Sequence, residues 1–375
     1  MINIDERQFI PLKNYISEYK ELNSTGEFAP VAVGRYGIRT RESIYSKELA
    51  KDYSKNKLIF KDTLTVGMGS VQIDIGILTD DVTYSVSPAY HTYRISGIDS
   101  DYLRYCLQYR NKDMFLRYVK RGSRQGKSID LKRWLTYEIP VYSDVQQNEI
   151  VKNLKISEKI IEKRKLQLKY LDDLISGRFV EMFGDININD KNWNCRPLRE
   201  LCTIVRGGSP RPIEQFLGGD IPWIKIGDAT DGDNIYLNST KERIIQEGVK
   251  KSRLVKAGSL IFANCGVSLG FARIITFDGC IHDGWLAMED IDDRLDKVFL
   301  LQSLNQMTEH FRAIAPSGTQ PNLNTTIMKS YQQVIPPIEF QKEYIRFIEQ
   351  INKSELCGGN YERRMLDLQS SIGIA

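Results

Sequence analysis

Residues 147–154 read QNEIVKNL, and residues 341–348 read QKEYIRFI. The second run repeats the first 194 positions later, and at that offset the residues before it agree as well: Ser123 with Ser317, Ile129 with Leu323, Tyr137 with Tyr331. Further upstream, RPLRELCTI around Pro197 echoes IPLKNYISE around Pro11, and SLIF from Ser259 echoes KLIF from Lys57. The offset drifts between about 186 and 202, as insertions in surface loops would make it do. A period this long is one domain plus a helix, not the 20–50 residues of a solenoid repeat. The chain is therefore read as a tandem duplication in which each half does one version of the same job. That favours two related surfaces on one target over a single catalytic cleft.

Outward from the first run, the chain from Ser143 to Phe183 has no proline and one glycine, Gly177. Within it Ile150, Leu154, Ile161, Leu168, Leu171, Ile175 and Met182 follow spacings of 4, 7, 7, 3, 4 and 7. That is a heptad stripe on a helix about 60 Å long, at ~1.5 Å per residue. Ser157, Arg164 and Arg178 interrupt it. A lone helix cannot bury such a stripe, so it needs a partner. The second run supplies one, a helix from Ile338 carrying Ile345 and Ile348, weakened by CGGN at 357–360, since each interior glycine costs about 1 kcal/mol. The flanking blocks are rich in short β-type runs and turns, and each closes on a predicted helix, Asp101–Tyr118 and Asp296–Ile314. The expected class is α+β: a β-rich domain over 1–140, a spacer helix over 141–184, a second β-rich domain over 185–337 and a shortened spacer helix over 338–375. The two helices would pair as an antiparallel coiled-coil spacer about a pseudo-twofold axis; the alternative is two helices laid on a domain surface.

The bulk numbers exclude more than they suggest. Of 375 residues, 41% are hydrophobic and 27% charged, with no apolar run near the ~18 residues a spanning helix needs. The start, MINIDERQFIPLKNY, is charged where a signal peptide would be apolar, so no membrane partner and a cytoplasmic location are expected. Six cysteines without CxxC spacing and three histidines suggest neither a disulfide framework nor a metal site. A net charge of +4 permits nucleic-acid binding without arguing for it.

Domain, helix, domain, helix with an internal repeat resembles the specificity (S) subunit of type I restriction-modification systems. The strings that carry the resemblance are GGSPRPIEQFLGGDIPWIKIGDAT, SGTQPNLN followed by VIPPIEFQ, and LDDLISGRFVEMFGD, with SRQGKSIDL and EIPVYSDVQQ as first-half counterparts. It covers essentially the whole chain. The resemblance implies that each β-rich block is a target recognition domain reading one half of a split, asymmetric site in double-stranded DNA. It implies that the helices fix the half-site spacing and dock two methyltransferase subunits, which carry S-adenosylmethionine and methylate adenine. Motor-endonuclease subunits can complete a restriction complex for phage defence. The S subunit itself would hold no cofactor and do no chemistry. Two departures stand out: the second helix stops at Ala375 before any counterpart of RFVEMFGD, and the first block has no IPWI-type string.

The residues agree with a binding role. An adenine methyltransferase needs a nucleotide-cofactor loop and an NPPY-type tetrapeptide, yet the only adjacent prolines are Pro336-Pro337. The acidic clusters Asp99/Asp101 and Asp290/Asp292/Asp293 read as turn and helix-start residues rather than a nuclease site. GSRQGKS at 122–128 fails as a P-loop, because three residues rather than four separate Gly122 from Gly126-Lys127-Ser128. Around it Lys120, Arg121, Arg124, Gln125, Lys127, Lys132 and Arg133 suit phosphates and base edges, the competing reading being a solvated charge run. Arg35, Tyr36, Arg39 and Arg41 in GRYGIRTRES are candidate DNA contacts of the first domain. Those of the second are Arg206, Ser209 and Arg211 in RGGSPRP, Lys225 and Asp228 after DIPWI, and the uncharged Ser317, Thr319, Gln320 and Asn322. Trp223 is read as core, and His91 and His282 as structural. The rival readings are a coiled-coil scaffold that binds only proteins, the specificity module of another DNA-modification or phage-exclusion system, and a stand-alone enzyme.

Overall fold

Two backbone hydrogen bonds show how the repeat is built. In the computed structural model, which describes residues 7–44, 52–122, 126–230, 235–316 and 322–356, Leu12 N donates to Tyr137 O and Leu198 N donates to Tyr331 O, both at 2.9 Å. Each bond continues a two-stranded antiparallel pair that ties a domain's start to its end, Gln8–Pro11 with Glu138–Val141 and Asn194–Pro197 with Gln332–Ile335. The described residues form two compact units, one up to Lys165 and one from Leu166 on.

The first unit has a four-stranded antiparallel sheet, ordered Ile16–Glu18, His91–Ile95, Thr63–Met68, Ile73–Leu78. Helices α1 (Ser100–Tyr109), α2 (Asn111–Tyr118) and α3 (Leu131–Trp134) accompany it, and α4 (Asp144–Phe183) leaves it. The core joins sheet residues Leu64, Val66 and Tyr93 to Tyr102, Trp134, Ile150 and Leu154. In the second unit Thr203–Arg206, Trp285–Glu289, Leu260–Ala263, Ala272–Ile275 and Tyr236–Leu237 form a five-stranded sheet. A four-stranded sheet orders Glu242–Ile244, Leu217–Ile224, Gly279–Ile281 and Arg253–Val255. The helices here are α5 (Gln246–Val249), α6 (Lys297–Gln306), α7 (Thr308–Ile314), α8 (Thr325–Ser330) and α9 (Ile338–Leu356).

The expected α+β class holds, with two corrections of detail. Each predicted domain-closing helix is two helices, broken at Arg110 and at Met307, where both backbones turn to φ near −93° and ψ near zero. Periodicity carries through so short a break, so the sequence hides it. The echo of SLIF is TLTV at Thr63, not KLIF at Lys57: Leu64 pairs with Tyr93 as Leu260 pairs with Met288. The turn before each strand confirms this register. Asp62 and Gly258 both have positive φ, and their N–H groups donate to Leu78 O and Ile275 O.

Along α4, Ile150, Leu154 and Met182 are buried, while Ile161, Leu168, Leu171 and Ile175 are half-buried. Ser157, Arg164 and Arg178, which interrupt the stripe by type, continue it by position: Ser157 is buried, its hydroxyl donating to Asn153 O, and both arginines are half-buried. In the second unit the last turns of α4 meet α6 and α9. Tyr344 lies edge-on to Phe179 and Phe183, Phe299 packs on both, and the Tyr344 hydroxyl donates to Ile175 O at 3.2 Å. Arg178 bridges to Glu343, and Ile348 is buried with Ile345 packed beside it. From residue 357 the predicted second spacer helix lies outside the described residues.

Candidate nucleic-acid interface

In the first unit, GRYGIRTRES folds as a hairpin. Val31–Gly34 pairs with Gly37–Thr40, with Arg35 and Tyr36 forming the turn and Gly37 taking the positive φ that a side chain would resist. Val31 and Val33 point into a small core with Ile59, Leu78 and Val86, and the Tyr90 hydroxyl donates to Val33 O at 2.9 Å. The outward residues are left at the tip. Tyr36 is 69% exposed, and the guanidinium carbons of Arg35 and Arg39 lie 5.8 and 5.2 Å from its ring centroid. Arg41 follows the hairpin and sits over the Tyr53 ring. A protruding aromatic with two cations beside it can offer charge to phosphates and a flat face to a base or sugar.

The GKS segment is also a hairpin, Val119–Gly122 with Gly126–Ile129. Lys120 pairs with Asp130 at 2.6 Å, and Lys127 bonds Ser70 O while lying 5.3 Å from the Phe115 ring centroid. These two lysines are therefore partly engaged by the domain itself. The Arg121 backbone lies in this hairpin; its side chain, together with Arg124 and Gln125, lies outside the described residues.

In the second unit Arg206, Ser209 and Arg211 converge on one residue that sequence reasoning missed, Asp283. The Arg206 Nε donates to Asp283 O at 3.1 Å, the Ser209 hydroxyl to Asp283 Oδ1 at 2.8 Å, and an Arg211 nitrogen lies 3.7 Å from Oδ2. The glycines between them are a packing necessity. Gly207 and Gly208 donate to Trp285 O and Ile281 O, and a Cβ on Gly207 would fall against His282 O and within 2.6 Å of Ile281 O. The neighbouring His282 Nδ1 lies 2.9 Å from Gly284 N and 3.0 Å from Asp283 Oδ1. A backbone N–H always carries its proton, so Nδ1 accepts from Gly284. Burial, the largest influence, lowers the His282 pKa and keeps the ring neutral; Lys225, Arg211 and Arg206 act the same way against Asp283. Asn264 N donates to Gly284 O, and Leu323 N to Asn264 O, which brings Asn322 to this region.

The other candidates divide. Lys225 Nζ pairs with Glu242 at 2.7 Å and remains half-exposed. Asp228 needs correcting as a DNA contact: it is buried, and its Oδ2 accepts from Lys225 N at 2.8 Å and the Thr240 hydroxyl at 2.9 Å, so its carboxylate is spent inside the fold. Trp223 is buried, 3% exposed, as its apolar neighbours in the sequence suggested. Ser317, Thr319 and Gln320 lie outside the described residues.

Comparison with known proteins agrees with this organisation. The family model for the type I restriction modification DNA specificity domain matches residues 190–359. The type I restriction enzyme MjaIX specificity subunit of Methanocaldococcus jannaschii is 23% identical over 163 residues, 42% of this chain and 38% of that protein. Among solved structures, the type I restriction-modification S subunit of M. genitalium has a TM-score of 0.53 at 14% identity, covering 98% of this chain and 94% of that one. A chain from a structure concerning complex assembly and conformational transition of the type I restriction-modification system gives 0.53 at 14% identity, covering 98% and 95%. Residues 190–359 thus match the type I restriction modification DNA specificity domain, and over 98% of its length the chain shares the fold of solved type I restriction-modification S-subunit chains.

Proposed function

We propose that the chain is the DNA-recognition subunit of a type I restriction-modification complex. It reads a bipartite, asymmetric site in double-stranded DNA, one half per β-rich domain. It directs adenine methylation by two partner methyltransferase subunits, which carry the S-adenosylmethionine, and restriction by motor-endonuclease subunits where these are present. The chain itself contributes no catalytic group. One observation carries this reading: the two domains share a scaffold down to single hydrogen bonds, yet the cationic loops they carry differ. One offers Tyr36 between Arg35 and Arg39, the other Arg206, Ser209 and Arg211 around Asp283. Like frames with unlike loops suit two different half-sequences.

The test is duplex binding by the chain with its methyltransferase partner across a salt series. Neutralising several phosphates makes log K fall steeply with log salt, by about 0.9 per phosphate. A scaffold that binds only proteins would show neither affinity nor slope, and that result would overturn the proposal.

A further inference from the structure

Asp283 is an odd residue to find at the centre of a surface meant for a polyanion, because a carboxylate there repels phosphates. Its neighbours give the reason for its place. Its side chain and carbonyl between them hold Arg206, Ser209 and Arg211, three residues of one glycine-rich loop, and its own N–H approaches the Ser209 hydroxyl at 3.3 Å. The Ser252 hydroxyl also reaches the loop, donating to Gly208 O at 2.8 Å. The Asp283 side chain is only 32% exposed, whereas that of Arg211, 3.7 Å from it, is 79% exposed.

We propose that Asp283 is the positioning residue of the second recognition domain: it fixes the loop's two arginines and its serine in one arrangement, so that base selectivity at the second half-site depends on a residue that need not touch DNA. This rests on the recognition function proposed above. An arginine reads a guanine edge only when both donors of its planar fork are aligned. An unanchored arginine still neutralises a phosphate but discriminates poorly. The carboxylate thus lowers affinity for any DNA and raises selectivity among sequences.

The experiment maps methylated adenines in a methylation-free host that co-expresses the full chain with the methyltransferase of its own locus. Wild type is compared with Asp283→Asn and Asp283→Glu. Asparagine keeps an acceptor for Ser209 and removes the charge that holds Arg211; glutamate restores the charge. For Asp283→Asn the expected result is relaxation at one or more base pairs of one half-site, by about tenfold in discrimination, with the other half unchanged. The purified complex should then also bind random duplex more tightly than wild type, and Asp283→Glu should recover part of the selectivity. A motif unchanged in Asp283→Asn overturns the inference while leaving the recognition function standing, as does equal relaxation of both halves. If wild type itself methylates no bipartite motif, the recognition function fails and takes this inference with it.

Discussion

Gln147 and Gln341 anchor the two long helices in the same way, and their removal should cost stability in a calculable order. Gln147 is 2% exposed; its Oε1 accepts from Asp99 N at 3.1 Å and its Nε2 donates to Tyr142 O at 2.7 Å. Gln341 is fully buried; its Oε1 accepts from Asp296 N at 2.8 Å and its Nε2 reaches Arg294 O at 2.9 Å and Pro336 O at 2.7 Å. Leucine in either place keeps the volume and strips the backbone groups of their partners, at about 1 kcal/mol or somewhat more for each buried group. Gln147→Leu therefore costs ~2 kcal/mol and Gln341→Leu ~3 kcal/mol. Urea unfolding followed by hydrogen exchange, peptide by peptide, reports the two units separately. Gln147→Leu should lower protection in peptides of the first unit around α1 and the start of α4. Gln341→Leu should lower it around α6 and α9. A cost below about 1 kcal/mol for Gln341→Leu, or equal losses in both units from either change, would show that these glutamines do not anchor the helices.

Other outcomes follow from single contacts. Tyr344→Ala removes the ring packed on Phe179 and Phe183 and should destabilise the second unit by ~3–5 kcal/mol in calorimetry. Arg35→Ala with Arg39→Ala should leave the melting temperature nearly unchanged, because both flank an exposed ring, yet lower the salt slope of DNA binding by up to ~2. Gly76→Ala should displace the Tyr36 hairpin, since a Cβ there falls 2.6 Å from Ile38 Cγ1 and 3.0 Å from Val33 Cγ1; altered exchange in residues 31–40 would show it. Burial holds the Cys106 thiol up at about 12, against an ordinary value of 9.0, so between those pH values the unfolded chain loses a proton that the folded chain keeps. First-unit stability should fall as pH rises through that window, and less steeply in Cys106→Ala.

Much of the fold was legible because it is stated twice. QNEIVKNL and QKEYIRFI announced the glutamines that lock each long helix to its domain. The heptad stripe announced α4 even where Ser157, Arg164 and Arg178 break its composition, because position on the helix decides burial before residue type does. The acids at Asp99 and Asp292 proved to be local: Asp99 caps α1 through Tyr102 N, and Asp292 bonds Arg294. What failed to show did so for physical reasons. Short β runs of similar composition can be aligned a few residues out of register, which is how KLIF was matched in place of TLTV. The inward turn of Asp228 is hidden because no sequence signal marks an aspartate that hydrogen-bonds back from a short 3-10 turn, here Ile226–Thr230. Asp283 belongs to a turn more than 70 residues from the loop it holds, and pairing across that distance is set by the sheet.

Two unlike cationic loops on one repeated frame should read two unlike half-sites. The decisive measurement is single-base mapping of methylated adenines in a host that co-expresses the chain with the type I methyltransferase subunit proposed as its partner, alongside a chimera in which residues 1–140 come from a type I specificity subunit. The expected result is a split, asymmetric motif methylated on both strands, of which the chimera changes one half and keeps the other. A continuous motif, or a chimera that changes both halves together, would contradict it.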